Sequence, residues 1–142
     1  MNISMLLDMA AEAFGDRTAV VCDDQSLTFA QVRTQALRAA KRFRDSGASY
    51  IALLDVNSPV LPIAVFGAAY AGIPYVPLNY RLTPDEITAL VDRVAPAVLL
   101  TGDAYQSAIG KRDDVQIIPT AELLTADGDE LVPDDVDPAS IA

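Results

Sequence analysis

Between Asp55 and Arg81 the chain carries no charged residue, a run long enough to cross a bilayer as one helix. Its punctuation forbids that. Pro59, Pro62, Pro74 and Pro77 fall inside the run and Gly72 interrupts it. Two prolines in the second half would break a continuous spanning helix. A buried helix, a glycine stop and a buried strand account for the same composition. Ser58 reads as the N-cap of that helix, with Pro59 at its first position. Ala64, Gly67, Ala68 and Ala71 place small residues at i, i+3, i+4 and i+7, a face that lets the backbone lie close on a sheet. Tyr75–Leu78 is the strand that follows.

The flanking sequence alternates in the same way. Ser4–Phe14 has helical spacing with Leu6, Met9, Ala10 and Ala13 on one face, and Gly15 as its stop. Thr18–Cys22 and Ser26–Thr28 read as short strands joined by a turn at Asp23-Asp24-Gln25. Thr28 and Gln31 form a capping box, with Leu27 and Val32 placed as a staple. The helix they open buries Phe29, Val32, Ala36, Ala39, Ala40 and Phe43, and Gly47 ends it. Arg33, Arg38, Lys41, Arg42 and Arg44 cover its other side, as on an ordinary solvated face.

Tyr50–Val56 is apolar apart from Asp55, as in a buried parallel strand. Thr83-Pro84-Asp85-Glu86 supplies an N-cap, a proline at N1 and a capping-box glutamate, with Leu82 and Ile87 as the staple. Ile87, Leu90, Val91 and Val94 then face inward until Pro96. Ala97–Thr101 and Val115–Ile118 are strands; Asp103–Ile109 and Thr120–Leu124 are short helices. Strands alternating with helices predict an α/β fold, a doubly wound, mostly parallel sheet flanked by helices.

Charge divides the chain. Residues 1–102 hold ten acids and eight bases, whereas 103–142 hold ten acids against Lys111 and Arg112. The expected organisation is an α/β domain over 1–125 and an acidic linker over 126–142. A net charge of −10 disfavours nucleic acid. Cys22 is the only cysteine and histidine is absent, which removes disulfides and the usual metal ligand and general base. The start lacks a basic n-region, so a cytoplasmic location is expected.

Two stretches carry a family resemblance. Ala-Gly-Ile-Pro-Tyr-Val-Pro-Leu-Asn, with Tyr80, Arg81 and Leu82 after it, resembles the core motif near the N-terminus of the adenylate-forming ligases. The Pro-Leu-Asn-Tyr-Arg-Leu form is most similar to the fatty-acyl and other acyl-CoA synthetases. Leu27–Val32 resembles the family's first short motif, with Phe29 and Gln31 where tyrosine and glutamate are usual. The resemblance implies an N-terminal subdomain of an enzyme that activates a carboxylic acid, a fatty acid on the closest pattern, with MgATP as acyl-adenylate. Transfer to coenzyme A would follow.

The resemblance also implies what this chain lacks. The family's Ser/Thr/Gly-rich phosphate loop, closed by lysine, is missing, and the seven glycines are never fewer than five residues apart. No catalytic or metal-binding residue is therefore expected here, and the polypeptide alone is expected to be inactive and to bind none of ATP, Mg²⁺ or coenzyme A tightly. Arg81 is the one nominated ligand residue, for a phosphate of coenzyme A; an ion pair with Asp85 or Glu86 competes for it. Asn79 and Tyr80 would shape its loop. A homodimer through exposed apolar surface is a further expectation.

A different class competes. Asp23 and Asp24 follow a strand, and Leu53–Pro59 resembles the phospho-acceptor segment of receiver domains, with Asp55 as acceptor and three carboxylates for Mg²⁺. Receivers require a lysine, usually before proline, after a later strand, whereas the only late lysine, Lys111, is followed by arginine. A non-catalytic α/β scaffold is the third reading.

Overall fold

The computed structural model describes residues 2–56, 59–106, 109–124 and 128–131. The elements run α1 (Ser4–Phe14), β1 (Thr18–Cys22), β2 (Gln25–Thr28), α2 (Phe29–Ser46), β3 (Tyr50–Leu54), α3 (Val60–Ala71) and β4 (Tyr75–Pro77). They continue α4 (Pro84–Val94), β5 (Ala97–Thr101), α5 (Asp103–Gln106), β6 (Val115–Pro119) and α6 (Thr120–Leu124). Strands β4-β3-β5-β6 form a parallel sheet in that order. β1 and β2 form a separate antiparallel hairpin.

The strands are apolar along their length because both sheet faces are covered. Ile51, Leu53, Val98, Leu100 and Ile118 point into one core with α2, α3 and Leu123 of α6. Ala52, Leu54, Leu99 and Val115 point into the other, against Ile87 and Val91 of α4. The β3–β4 connection runs one way with α3 on the first face. The β4–β5 connection runs back past β3 with α4 on the second. Reversing direction while changing faces keeps the hand of the crossover, as parallel connections require.

The capping signals act as read. Thr28 and Gln31 close both halves of a capping box, as do Thr83 and Glu86, and Gly47 and Gly72 end their helices in the left-handed region. Pro59 stands at the N-cap position of α3, one residue earlier than the proline-at-N1 reading. The Ser58 cap lies outside the described residues.

The small-residue face of α3 is buried as expected, but its partner differs. A Cβ at Gly67 would lie 3.1 Å from the Ala39 Cβ, 3.1 Å from Phe43 Cε2 and 3.2 Å from the Ala36 carbonyl oxygen. The helix packs its glycine against α2, not against the sheet. Two helices covering one sheet face must lie side by side, and small residues on both let them approach.

α1 is rotated from its expected face. It buries Ser4 and Leu7 and leaves Leu6 at 54% and Met9 at 64% exposure. The cause is polar. Asp8 on the inward side accepts from Arg33 Nε at 2.8 Å and from the Tyr70 hydroxyl. Burial pushes the Tyr70 hydroxyl up from its ordinary value, and the Asp8 carboxylate adds to the rise. Asn2 joins the same seam, donating to the Ala69 carbonyl at 2.8 Å and accepting from the Ser4 amide at 2.9 Å.

The basic face of α2 is also more than a solvated surface. Besides Arg33, Arg42 pairs with Glu122 at 3.0 Å, and Arg44 donates to the carbonyls of Tyr70 and Ala71 at 3.3 and 3.4 Å. A cation there meets the negative end of α3. Most of the stretch read as an acidic linker lies outside the described residues. Leu131 within it is buried, and its amide donates to the Leu37 carbonyl at 3.0 Å.

Gly67→Val should overfill the α2–α3 seam and cost about 1–3 kcal/mol. Urea unfolding should show a lower midpoint with an unchanged slope; an unchanged midpoint would mean the helices separate freely.

Candidate functional site

All four parallel strands deliver their carboxyl ends to one edge. There β3 hands the chain to α3 on one face, whereas its neighbour β5 hands it to α5, whose Tyr105 packs on the other. Connections that diverge from adjacent strands mark that edge as the usual ligand position in open parallel sheets. Asp55, the 79–81 loop, Gly102 and Thr120 all lie on it.

Asp55 ties three of the strand ends together. Its carboxylate accepts from the Thr120 hydroxyl at 2.8 Å and from the Val56 amide at 2.8 Å. A Cβ on Gly102 would lie 2.5 Å from Asp55 Oδ1, so the side chain occupies space only glycine leaves open. Neither Thr120 nor Gly102 stood out in the sequence as a partner for Asp55; the signal was a small residue directly after each of two strands.

Asp23 and Asp24 do not join it. They form the turn of the hairpin, Asp23 with a φ of 53°, in a sheet separate from Asp55. Aspartate tolerates that conformation through its short polar side chain. Among the described residues no group of three or more carboxylates, cysteines or histidines is placed to hold a metal. The receiver arrangement is absent on this geometry.

The 79–81 loop follows β4. Asn79 Oδ1 accepts from the Arg81 amide at 2.9 Å, an Asx turn. The exposed Arg81 guanidinium sits 5.7 Å from the centre of the Tyr80 ring, within reach of a cation–π contact. The expected pair with Asp85 or Glu86 does not form: among the described residues Arg81 makes no salt bridge. Glu86 instead accepts from the Thr83 amide at 2.9 Å in its capping box. Tyr80 in turn meets Tyr105, ring centres 6.1 Å apart and tilted 52°. Sequence reading did not single out Tyr105, which is far from Tyr80 along the chain.

Two grooves are lined by described residues away from the 79–81 loop. A groove of about 270 Å³ runs between α1, β1 and α3, lined by Leu6, Ala10, Val20, Val32 and Phe66 among others. Another of about 420 Å³ separates Asp24 and Ser26 from Pro59 and Leu124. Among the described residues no helix is long and apolar enough to cross a membrane.

The sequence profile described as "AMP-binding enzyme" matches residues 7–140. A medium/long-chain-fatty-acid–CoA/3-oxocholest-4-en-26-oate–CoA ligase of Mycobacterium tuberculosis is 35% identical over 112 residues, 77% of this chain and 20% of that protein. The N-terminal domain of FACL13 from Mycobacterium tuberculosis superposes with a TM-score of 0.76 at 26% identity, covering 92% of this chain and 38% of that one. A benzoate CoA ligase from Burkholderia xenovorans matches with a TM-score of 0.83 at 23% identity, over 99% of this chain and 30% of its own, which speaks to fold alone. The chain thus spans about a fifth of the length of the curated ligase it matches.

Gly102→Ala should cost on the order of 1–3 kcal/mol by displacing the Asp55 carboxylate. Most of that cost should vanish in an Asp55→Ala background, where the new methyl has room. Additive losses in denaturant titrations of the double variant would show that the two residues are uncoupled.

Proposed function

The chain belongs to the AMP-binding enzyme family, and on that premise we propose that it is the N-terminal part of an ATP-dependent acid–thiol ligase. The observation that carries the reading is the 35% identity to a fatty-acid–CoA ligase across 77% of the chain. The substrate is a carboxylic acid, a fatty acid on this relative, activated as acyl-adenylate and passed to the thiol of coenzyme A.

The residues present fit coenzyme A better than they fit ATP. ATP phosphates are held by clustered backbone amides and a lysine, and the glycines here are too dispersed to form such a loop. ATP and Mg²⁺ are therefore assigned to the remainder of the ligase. Arg81 suits a phosphate of coenzyme A: it is exposed, stands in no ion pair among the described residues, and sits over the Tyr80 ring. A guanidinium so placed offers its N–H edge to phosphate oxygens. Its part is binding and orientation of the nucleotide; proton transfer and nucleophilic attack lie with the acid, the thiol and the rest of the enzyme.

The purified chain should show no acid-dependent ATP–pyrophosphate exchange, and exchange above background would refute its inactivity. Sequencing the coding DNA beyond the Ala142 codon should find a Thr/Ser/Gly-rich loop closed by lysine; an immediate stop codon would remove the ligase reading. Leu6 and Met9, exposed beside the apolar groove, support self-association of the isolated chain. Sedimentation at rising concentration should show a monomer–dimer shift, and a monomer throughout would exclude it.

A further inference from the structure

We infer that Tyr105, in α5 just after β5, is a positioning residue for Arg81, acting through Tyr80. The inference rests on the reading of Arg81 as a nucleotide-phosphate ligand. It adds that the arginine's aim is set by a strand end two positions across the sheet from its own.

Three observations carry it. Arg81 lies on an exposed loop whose backbone is held by two local bonds, the Arg81 amide donating to Asn79 Oδ1 at 2.9 Å and the Leu82 amide to the Asn79 carbonyl at 3.2 Å. Those bonds fix the main chain and leave a long, rotamer-rich side chain undirected. The guanidinium is instead held by the Tyr80 face, 5.7 Å from its centre. Tyr80 has to hold still to direct anything, and its ring is braced by Tyr105 at 6.1 Å and 52°, inside the range of favourable tilted aromatic pairs. Both tyrosines are half-buried against the α4 side of the sheet, whereas Arg81 is exposed. The result is an aromatic shelf with a cation on its outer surface. The guanidinium is exposed, so its N–H groups stay open to a phosphate. Tyr80 and Arg81 follow β4 while Tyr105 follows β5 in α5, and β3 lies between the two strands. A phosphate-binding arginine thereby reports on the packing of the same edge that Asp55 ties together.

The test titrates the isotope-labelled 142-residue chain with adenosine 3′,5′-bisphosphate and, in parallel, with adenosine, following amide and arginine side-chain resonances. The bisphosphate should bind more tightly than adenosine, with shifts at residues 79–81 and 105, and Arg81→Ala should abolish that preference. Tyr105→Leu should weaken bisphosphate binding about two- to tenfold and leave adenosine binding unchanged, while Tyr105→Phe should match the parent. Tyr80→Leu should reproduce the Tyr105→Leu loss from the other side of the pair. In an Arg81→Ala background Tyr105→Leu should have no further effect.

A Tyr105→Leu loss that persists without Arg81 would overturn the inference and make Tyr105 merely structural. Full bisphosphate affinity in both Tyr105→Leu and Tyr80→Leu, with Arg81→Ala impaired, would overturn it while sparing the phosphate reading. Indifference of binding to Arg81→Ala would remove the phosphate reading itself, and the inference with it.

Discussion

The contact on which the rest of the structure depends is the close approach of α2 and α3 at Gly67. A sheet of four strands has one face to be covered by α3, which joins β3 to β4, and by α2, which precedes β3. Both fit only if their backbones nearly touch, and Ala36, Ala39, Ala64, Gly67 and Ala68 provide that surface, all of them buried. Interiors packed to crystal-like density tolerate little extra volume at such a seam. The surrounding polar contacts serve the same docking. Arg44 satisfies carbonyls at the end of α3, while Asp8, Arg33 and Tyr70 tie α1, α2 and α3 in one network.

With that face closed, α4 takes the other, and the connections from β3 and β5 part in opposite directions. That divergence follows from chirality and strand order, not from any local motif. Asp55 closes the base of this edge by accepting from Thr120 across Gly102. The aromatic pair and Arg81 form its rim on the α4 side. An acid fragment that resembles a phospho-acceptor in sequence is here a brace between strand ends. Its neighbours are a hydroxyl and a glycine, where a receiver would need further carboxylates and a lysine.

Where sequence reading departed from the structure, a distant polar partner was responsible. α1 was expected to bury Leu6 and Met9, yet it turns Asp8 inward because Arg33 and Tyr70 are there to receive it. Periodicity weighs apolar residues and has no knowledge of a carboxylate's partner 25 or 62 residues away. The small face of α3 was legible as a close-packing surface but not as a helix-facing one, since the i, i+3, i+4 pattern is the same for either neighbour. Tyr105 was invisible for the same reason: an aromatic pair between two strand ends leaves no local signal.

The sequence by itself determined the element order, both capping boxes, the glycine stops after α2 and α3, and the parallel character of the sheet. Each of these is encoded within a few residues by backbone conformation or by unbroken apolar runs. It also marked Arg81 and its loop through a contiguous motif. Tertiary structure alone decided which helix faces meet, which charges pair, that Asp55 is bound to Thr120, and that Tyr80 rests on Tyr105. Those outcomes depend on strand order and on contacts between residues far apart in the chain, and no local preference of the backbone specifies them.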